Sequence, residues 1–166
     1  MAKVGRILAL VAGILTFLGT FAFSLITMGG TSVVYGIGGV INLIPLFQVA
    51  SGWDVVEWVF VIGYLLFLLS FIIQLVGIKS RIAALFGSLL PIAVVVIIFL
   101  GYFDAWDFWT YLAVLGGDGL TTWFPFTFGI GLEFPVIPGI IIDLGTFIVG
   151  AGGLLSLVSV FLTRED

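Results

Sequence analysis

The sequence predicts an all-α membrane protein, a bundle of four transmembrane helices built from two parallel helix-loop-helix repeats with short structured outward loops. Three observations lead there. Residues are 62 % hydrophobic and only 8 % charged, and the mean hydropathy is +1.40, a mix suited to lipid rather than water. Four apolar runs are each long enough to cross about 30 Å of hydrocarbon as a helix rising about 1.5 Å per residue. Parts of the chain also recur in the same order, the mark of a duplicated unit.

The first run, Ile7 to Met28, follows Lys3 and Arg6; it is too long for a cleaved signal and lacks a small-x-small site before Thr31, so it reads as a retained anchor. Ala12, Thr16, Thr20 and Ser24 recur at every fourth position along it, with Ala9 and Gly13 beside them. Small residues at that spacing let helices approach closely in lipid, where dispersion forces hold them together. The second run is Val55 to Ile78, with Gln74 near its end reading as an interfacial polar residue. The third, Ile82 to Phe103, contains Pro91, which is predicted to kink the helix and to leave a carbonyl one turn earlier to water or a neighbour. The fourth, Gly139 to Leu162, carries Thr146, Gly150, Gly152 and Ser156, a matching small-residue face for packing within the bundle or between copies.

Charge gives these runs a direction. Lys3, Arg6, Lys79, Arg81 and Arg164 fall at the two termini and in the short second connection, whereas Asp54, Asp104, Asp107, Asp118 and Glu133 fall in or beside the other two. The positive-inside rule then predicts a plasma-membrane protein with cytoplasmic N- and C-termini and two loops outside. The net charge of −4 argues against nucleic acid as a partner. The lipid bilayer is the first partner the composition implies.

The duplication is read from three matches. "RILALVAGIL" at Arg6 sits over "RIAALFGSLL" at Arg81, "YGIGGVINLIP" at Tyr35 over "FGIGLEFPVIP" at Phe128, and "VVEW" at Val55 over "IIDL" at Ile141. The two units are about 1–80 and 81–166 of a single integral membrane domain. Both start on the basic side, so they relate as a parallel repeat.

Sequence offers few groups capable of chemistry. The chain has neither cysteine nor histidine, which removes disulfides, thiolate and imidazole chemistry and most transition-metal and haem sites; no cofactor, catalytic residue or established metal set is predicted, and the chain is not expected to be an enzyme. Glu57 and Asp143 occupy matched positions in the repeat. They are expected in the first turns of their helices, either capping or favouring the positive end of the helix dipole, or as a pseudo-symmetric cation site. The outward loops are rich in aromatics, and Trp106, Trp109, Tyr111, Trp123 and Phe126 are the candidates for association there, because so apolar a surface would not be left in water.

The overall plan resembles tetraspan membrane proteins such as claudins, tetraspanins and the MARVEL group: four helices, cytoplasmic termini, two outward loops and a minimal inner turn. The resemblance covers the chain as topology, and "GWDVVEW" at Gly52 carries two tryptophans without a cysteine. It implies a structural or interaction protein that forms homo-oligomers or joins other membrane subunits. A second resemblance is local: "TFGIGLEFP" looks like a potassium-channel filter, with Thr127, Gly129, Gly131 and Pro135 in register, and implies a cation channel using the repeated loops. An accessory subunit of a larger membrane complex is the remaining expectation.

Overall fold

A computed structural model describes residues 4–28, 31–34, 55–103 and 142–162. The described chain runs α1 (Val4–Phe21), β1 (Ile26–Met28), β2 (Thr31–Val34), α2 (Val55–Val76), α3 (Arg81–Tyr102) and α4 (Leu144–Phe161). Three stretches are long and apolar enough to cross a membrane, Val4–Phe21, Arg81–Leu100 and Leu144–Phe161; the described apolar stretch of α2 is Ile62–Val76.

The helices form a closed antiparallel ring in which each packs on the next in sequence and α4 returns to α1. The α2–α3 corner is tight because Gly77–Ser80 turns through successive backbone bonds, Ile78 N–H to the Leu75 carbonyl (3.1 Å) and Lys79 N–H to Val76 (3.0 Å). Ser80 then opens α3, its hydroxyl accepting from the Ala83 N–H at 3.3 Å, as an N-cap does. Arg6, Lys79 and Arg81 share this end of the bundle, called here the basic end.

Side-chain distribution is that of a protein dissolved in lipid. Large apolar residues point outward from every helix, among them Ile7 and Ile14 on α1, Val59, Ile62 and Leu69 on α2, Ile82 and Phe86 on α3, and Leu154 and Val158 on α4. The interior instead holds Thr16, Thr20, Ser70, Gln74, Ser88, Thr146 and Ser156, all buried. Water does not drive such packing, so close backbone approach and interhelical hydrogen bonds must hold it. The α1–α4 seam is the most extensive. A Cβ added at Gly19 would sit 2.8 Å from Val149 Cγ2 and 2.9 Å from Val149 N, and one at Gly152 would sit 2.9 Å from Thr16 N. The α1–α2 seam is filled by rings: Phe71 lies with its centroid 5.0 Å from Phe17 and 5.7 Å from Phe21.

Two helix boundaries are corrected. The first helix ends at Phe21 rather than at Met28, because Ile26–Met28 leaves the bundle as a strand paired antiparallel with Thr31–Val34. The fold is therefore all-α in its four helices, with one small β-hairpin added at the end of the first. The fourth helix starts at Leu144 rather than Gly139, because Ile142 and Asp143 are held extended, Ile142 in an antiparallel bridge to Ile26. β1 thus lies between β2 and the strand-like lead into α4, and this is the sheet end of the bundle. Above the small-residue seam, Leu25, Ile26, Phe67, Leu68, Ile98, Ile142 and Val149 close it with a compact apolar core.

Candidate functional site

Two polar junctions are built into the bundle, one at the sheet end and one near the basic end. The first arises where the chain leaves α1. Ser24, Leu25 and Ile26 run alongside the entry to α4: the Asp143 N–H donates to the Leu25 carbonyl at 3.1 Å and the Gly145 N–H to the Ser24 carbonyl at 3.0 Å. A helix N-terminus has free N–H groups that need acceptors, and here a carbonyl from a distant segment supplies one. The Thr146 hydroxyl adds a bond of 2.6 Å to the Leu25 carbonyl. Gly145 has to be glycine in this arrangement, since a Cβ would collide with the Ser24 carbonyl.

Asp143 is fully buried. It holds the N-cap position of α4 with extended backbone but makes no side-chain cap bond, which corrects its expected placement inside the first turn and its expected capping role. Its Oδ2 instead lies 2.5 Å from Ser24 Oγ, a separation typical of a hydroxyl donating to a carboxylate. The Ile26 carbonyl is a second acceptor 3.0 Å from the same hydroxyl; with one proton, Ser24 serves them one at a time. Ser24 is thus not a member of a helical stripe. It lies beyond the end of α1 and joins the root of one connection to the root of another, 119 residues apart in sequence.

The second junction surrounds Pro91. A proline at this position has no N–H for the carbonyl four residues earlier, Gly87. Gln74 Nε2 donates to that carbonyl at 2.9 Å. The reach of a glutamine side chain suffices because α2 and α3 nearly touch there: a Cβ at Gly87 would lie 2.8 Å from both Gln74 Cγ and Gln74 N. Gln74 is completely buried, so it is a brace inside the bundle and not an interfacial residue. Its Oε1 and the Ser70 hydroxyl, one turn away, have no hydrogen-bond partner. Nearby, Ser156 Oγ donates to the Ala84 carbonyl at 2.9 Å and ties α4 to α3.

The remaining predicted residues divide among several contacts. Ala12, Thr16 and Thr20 are buried on α1, and Gly152 meets Ala12 and Thr16 across the α1–α4 seam. The Thr16 and Thr20 hydroxyls make no hydrogen bond, so these positions act through size. Gly13 faces Leu75 and Phe71 of α2, whereas Gly150 faces Val95 of α3; the α4 residues Gly150, Gly152 and Ser156 therefore serve two neighbours rather than one face. Glu57 falls in the first turn of α2, but its side chain lies outside the described residues, and with it the proposed pairing with Asp143. Among the described residues no group of three or more acids could hold a metal ion. Trp106, Trp109, Tyr111, Trp123 and Phe126, both glycine-rich stretches and the channel-filter resemblance lie outside the described residues.

Sequence reasoning missed the inward role of Gln74 and the reach of Thr146. The first had a usable signal: Gln74 and Gly87 are equidistant from the Ser80–Arg81 corner, and Gly87 is the carbonyl that Pro91 abandons. No family model, curated protein or solved structure matches the chain; the four helices, three of them long and apolar enough to span a membrane, are compatible with a tetraspan-like topology.

Proposed function

We propose that the chain is a multi-pass membrane protein that works by association: the four helices, α2 included as a crossing, form a platform that presents the two long connections together for contact with further copies of the chain or with other membrane subunits. The basic end faces the cytoplasm and the sheet end faces outward from the plasma membrane, in keeping with the charge distribution. α1 and α3 both run away from the basic end while α2 and α4 return, the sense that a parallel repeat requires.

One observation carries this reading. The Ile26–Ile142 bridge and the bonds from Asp143 and Gly145 to Leu25 and Ser24 fasten the beginning of one connection to the end of the other. The two connections share a common root, which supports a single joint surface over two independent loops. The small-residue seams, by contrast, are occupied within one copy of the chain, so association is assigned to the sheet end and not to those faces.

Native mass measurement in mild detergent, with cross-linking in the source membrane, tests the proposal. Multiples of one mass support self-assembly, and a defined mass with other subunits supports the accessory-subunit form. Monomer alone under both conditions counts against association, and selective potassium flux in liposomes would replace it with the channel reading.

A further inference from the structure

We propose that the Ser24–Asp143 junction is a proton-operated switch: when Asp143 takes up a proton, the Ser24 hydroxyl turns from the carboxylate to the Ile26 carbonyl, and the change passes into β1. The geometry that carries this is one hydroxyl set between two acceptors. Ser24 Oγ lies 2.5 Å from Asp143 Oδ2 and 3.0 Å from the Ile26 carbonyl oxygen. Ser24 and Asp143 are fully buried and Ile26 is nearly so, so bulk water does not stand in for a donor that turns away.

Two proton arrangements follow from what each group can give and take. An ionised carboxylate only accepts, and the single Ser24 proton then goes to Asp143; a separation of 2.5 Å suits that charge-assisted bond. A protonated carboxyl has a hydrogen of its own to give. Asp143 Oδ2–H then donates to Ser24 Oγ, and Ser24 Oγ–H donates to the Ile26 carbonyl, so both contacts are hydrogen bonds at once. One proton enters from the medium, one hydroxyl rotates, and no heavy atom has to move. Both arrangements keep Ser24 tied to Asp143; they differ in whether the hydroxyl also holds the Ile26 carbonyl.

Ile26 is where that difference has leverage. It bridges to Ile142 and pairs with Val34, and the register of the hairpin slips between Ile26 and Thr27, so the ladder is irregular at the residue the hydroxyl serves. Among the described side chains, Asp143 is the one carboxylate at this end. The tail of α1, both strands and the first turn of α4 carry no ionisable group. From α2, Tyr64 packs against the core that holds Leu25, Ile26 and Ile142, and α3 brings Ile98 and Phe99 to it, with Tyr102 closing that helix. The described cations, Arg6, Lys79 and Arg81, are at the basic end. Asp143 stands just before the apolar span Leu144–Phe161, at the end of the bundle and not within its hydrocarbon length.

Ile26–Thr27 is the one isoleucine–threonine step in the sequence, so carbonyl-labelled isoleucine with nitrogen-labelled threonine gives a single NMR signal for the Ile26 carbonyl. In full-length protein in phosphatidylcholine bilayers, that signal is expected to move downfield from mildly alkaline to acidic buffer, as a carbonyl does on gaining a hydrogen bond, and to return reversibly. In Asp143→Asn, which cannot titrate, and in Ser24→Ala, which has no hydroxyl, it is expected to hold one position across the same range. A parent signal that stays still or moves upfield overturns the proposal, and so does an equal movement in Asp143→Asn. The parent and the isosteric Asp143→Asn decide the matter even where Ser24→Ala does not fold. The switch belongs to the folded chain whether or not it associates, so a monomer in the mass measurement leaves it standing.

Discussion

The brace at Pro91 makes a prediction that separates a specific hydrogen bond from general packing. Replacing Gln74 by Leu keeps the volume and apolar character of the α2–α3 contact but removes the donor 2.9 Å from the Gly87 carbonyl. A buried carbonyl left without a partner costs about 1–3 kcal/mol, while interhelical side-chain bonds in bilayer proteins average about 0.6 and reach about 1.7 kcal/mol. The loss is reduced by removal of Gln74 Oε1, itself without a partner, so Gln74→Leu is expected to destabilise by about 1 kcal/mol. In a Pro91→Ala background the new N–H reaches the Gly87 carbonyl within the helix, and the amide of Gln74 becomes dispensable. There Gln74→Leu is expected to be neutral or stabilising, giving a coupling of about 1–2 kcal/mol by reversible SDS unfolding in mixed micelles, followed by tryptophan fluorescence and far-ultraviolet dichroism. The cavity left by Pro91→Ala appears on both sides of the cycle and cancels. Equal costs of Gln74→Leu in the two backgrounds would refute the assignment of Gly87 as the carbonyl that Gln74 serves.

The remaining predictions use the same unfolding assay. Ser24→Ala breaks the 2.5 Å bond to Asp143 and should cost about 1.5–3 kcal/mol, the range for a hydrogen bond to a charged group; in an Asp143→Asn background the cost should fall, and an unchanged cost would mean that the hydroxyl acts through the Ile26 carbonyl and not through Asp143. Thr146→Val deletes the 2.6 Å bond to the Leu25 carbonyl and should cost about 1 kcal/mol, with faster amide exchange in residues 24–26 as the local signature. Gly152→Ala places a methyl group 2.9 Å from Thr16 N and 3.0 Å from the Ala12 carbonyl and should cost about 1–3 kcal/mol by overpacking, whereas Gly150→Ala meets Val95 at 3.5 Å and should be tolerated. Equal effects of those two alanines would contradict the described α1–α4 separation.

The helical spans were legible because a chain dissolved in lipid must satisfy its backbone internally, and long apolar runs leave little alternative. The boundaries were less legible for a physical reason. Apolar residues from Ala22 to Met28 suit a strand as well as a helix, and hydropathy alone continued α1 through them. Gly29-Gly30 between two short β-favouring runs is a two-residue hairpin signal, but the hydrophobic average hides it. The four-residue spacing from Ala12 to Ser24 had the same weakness: three members pack within α1, and the fourth works only because the helix has already ended. At the other junction, Pro91 announced an orphaned carbonyl, yet naming its donor required the hairpin register that a four-residue corner imposes.

These junctions assign different mechanical roles to the two ends of the bundle. At the basic end, α2 and α3 are held by their short corner, by Gly87 pressed against Gln74 and by the amide that braces Pro91. At the sheet end, the tightest connections run between α1 and α4, where Ser24, Leu25, Asp143, Gly145 and Thr146 form four hydrogen bonds between the two segments. A further bond, from the Ser24 hydroxyl to the Ile26 carbonyl, stays within one segment and holds the hydroxyl between its two acceptors. Stiffness is thus placed where the two connections leave the helical bundle, and latitude is left along α2, the helix with the weaker seams to its neighbours. The proposed platform for association would draw on that distribution: the roots of the proposed contact surface would hold their spacing, while one helix adjusts to what lies beside it.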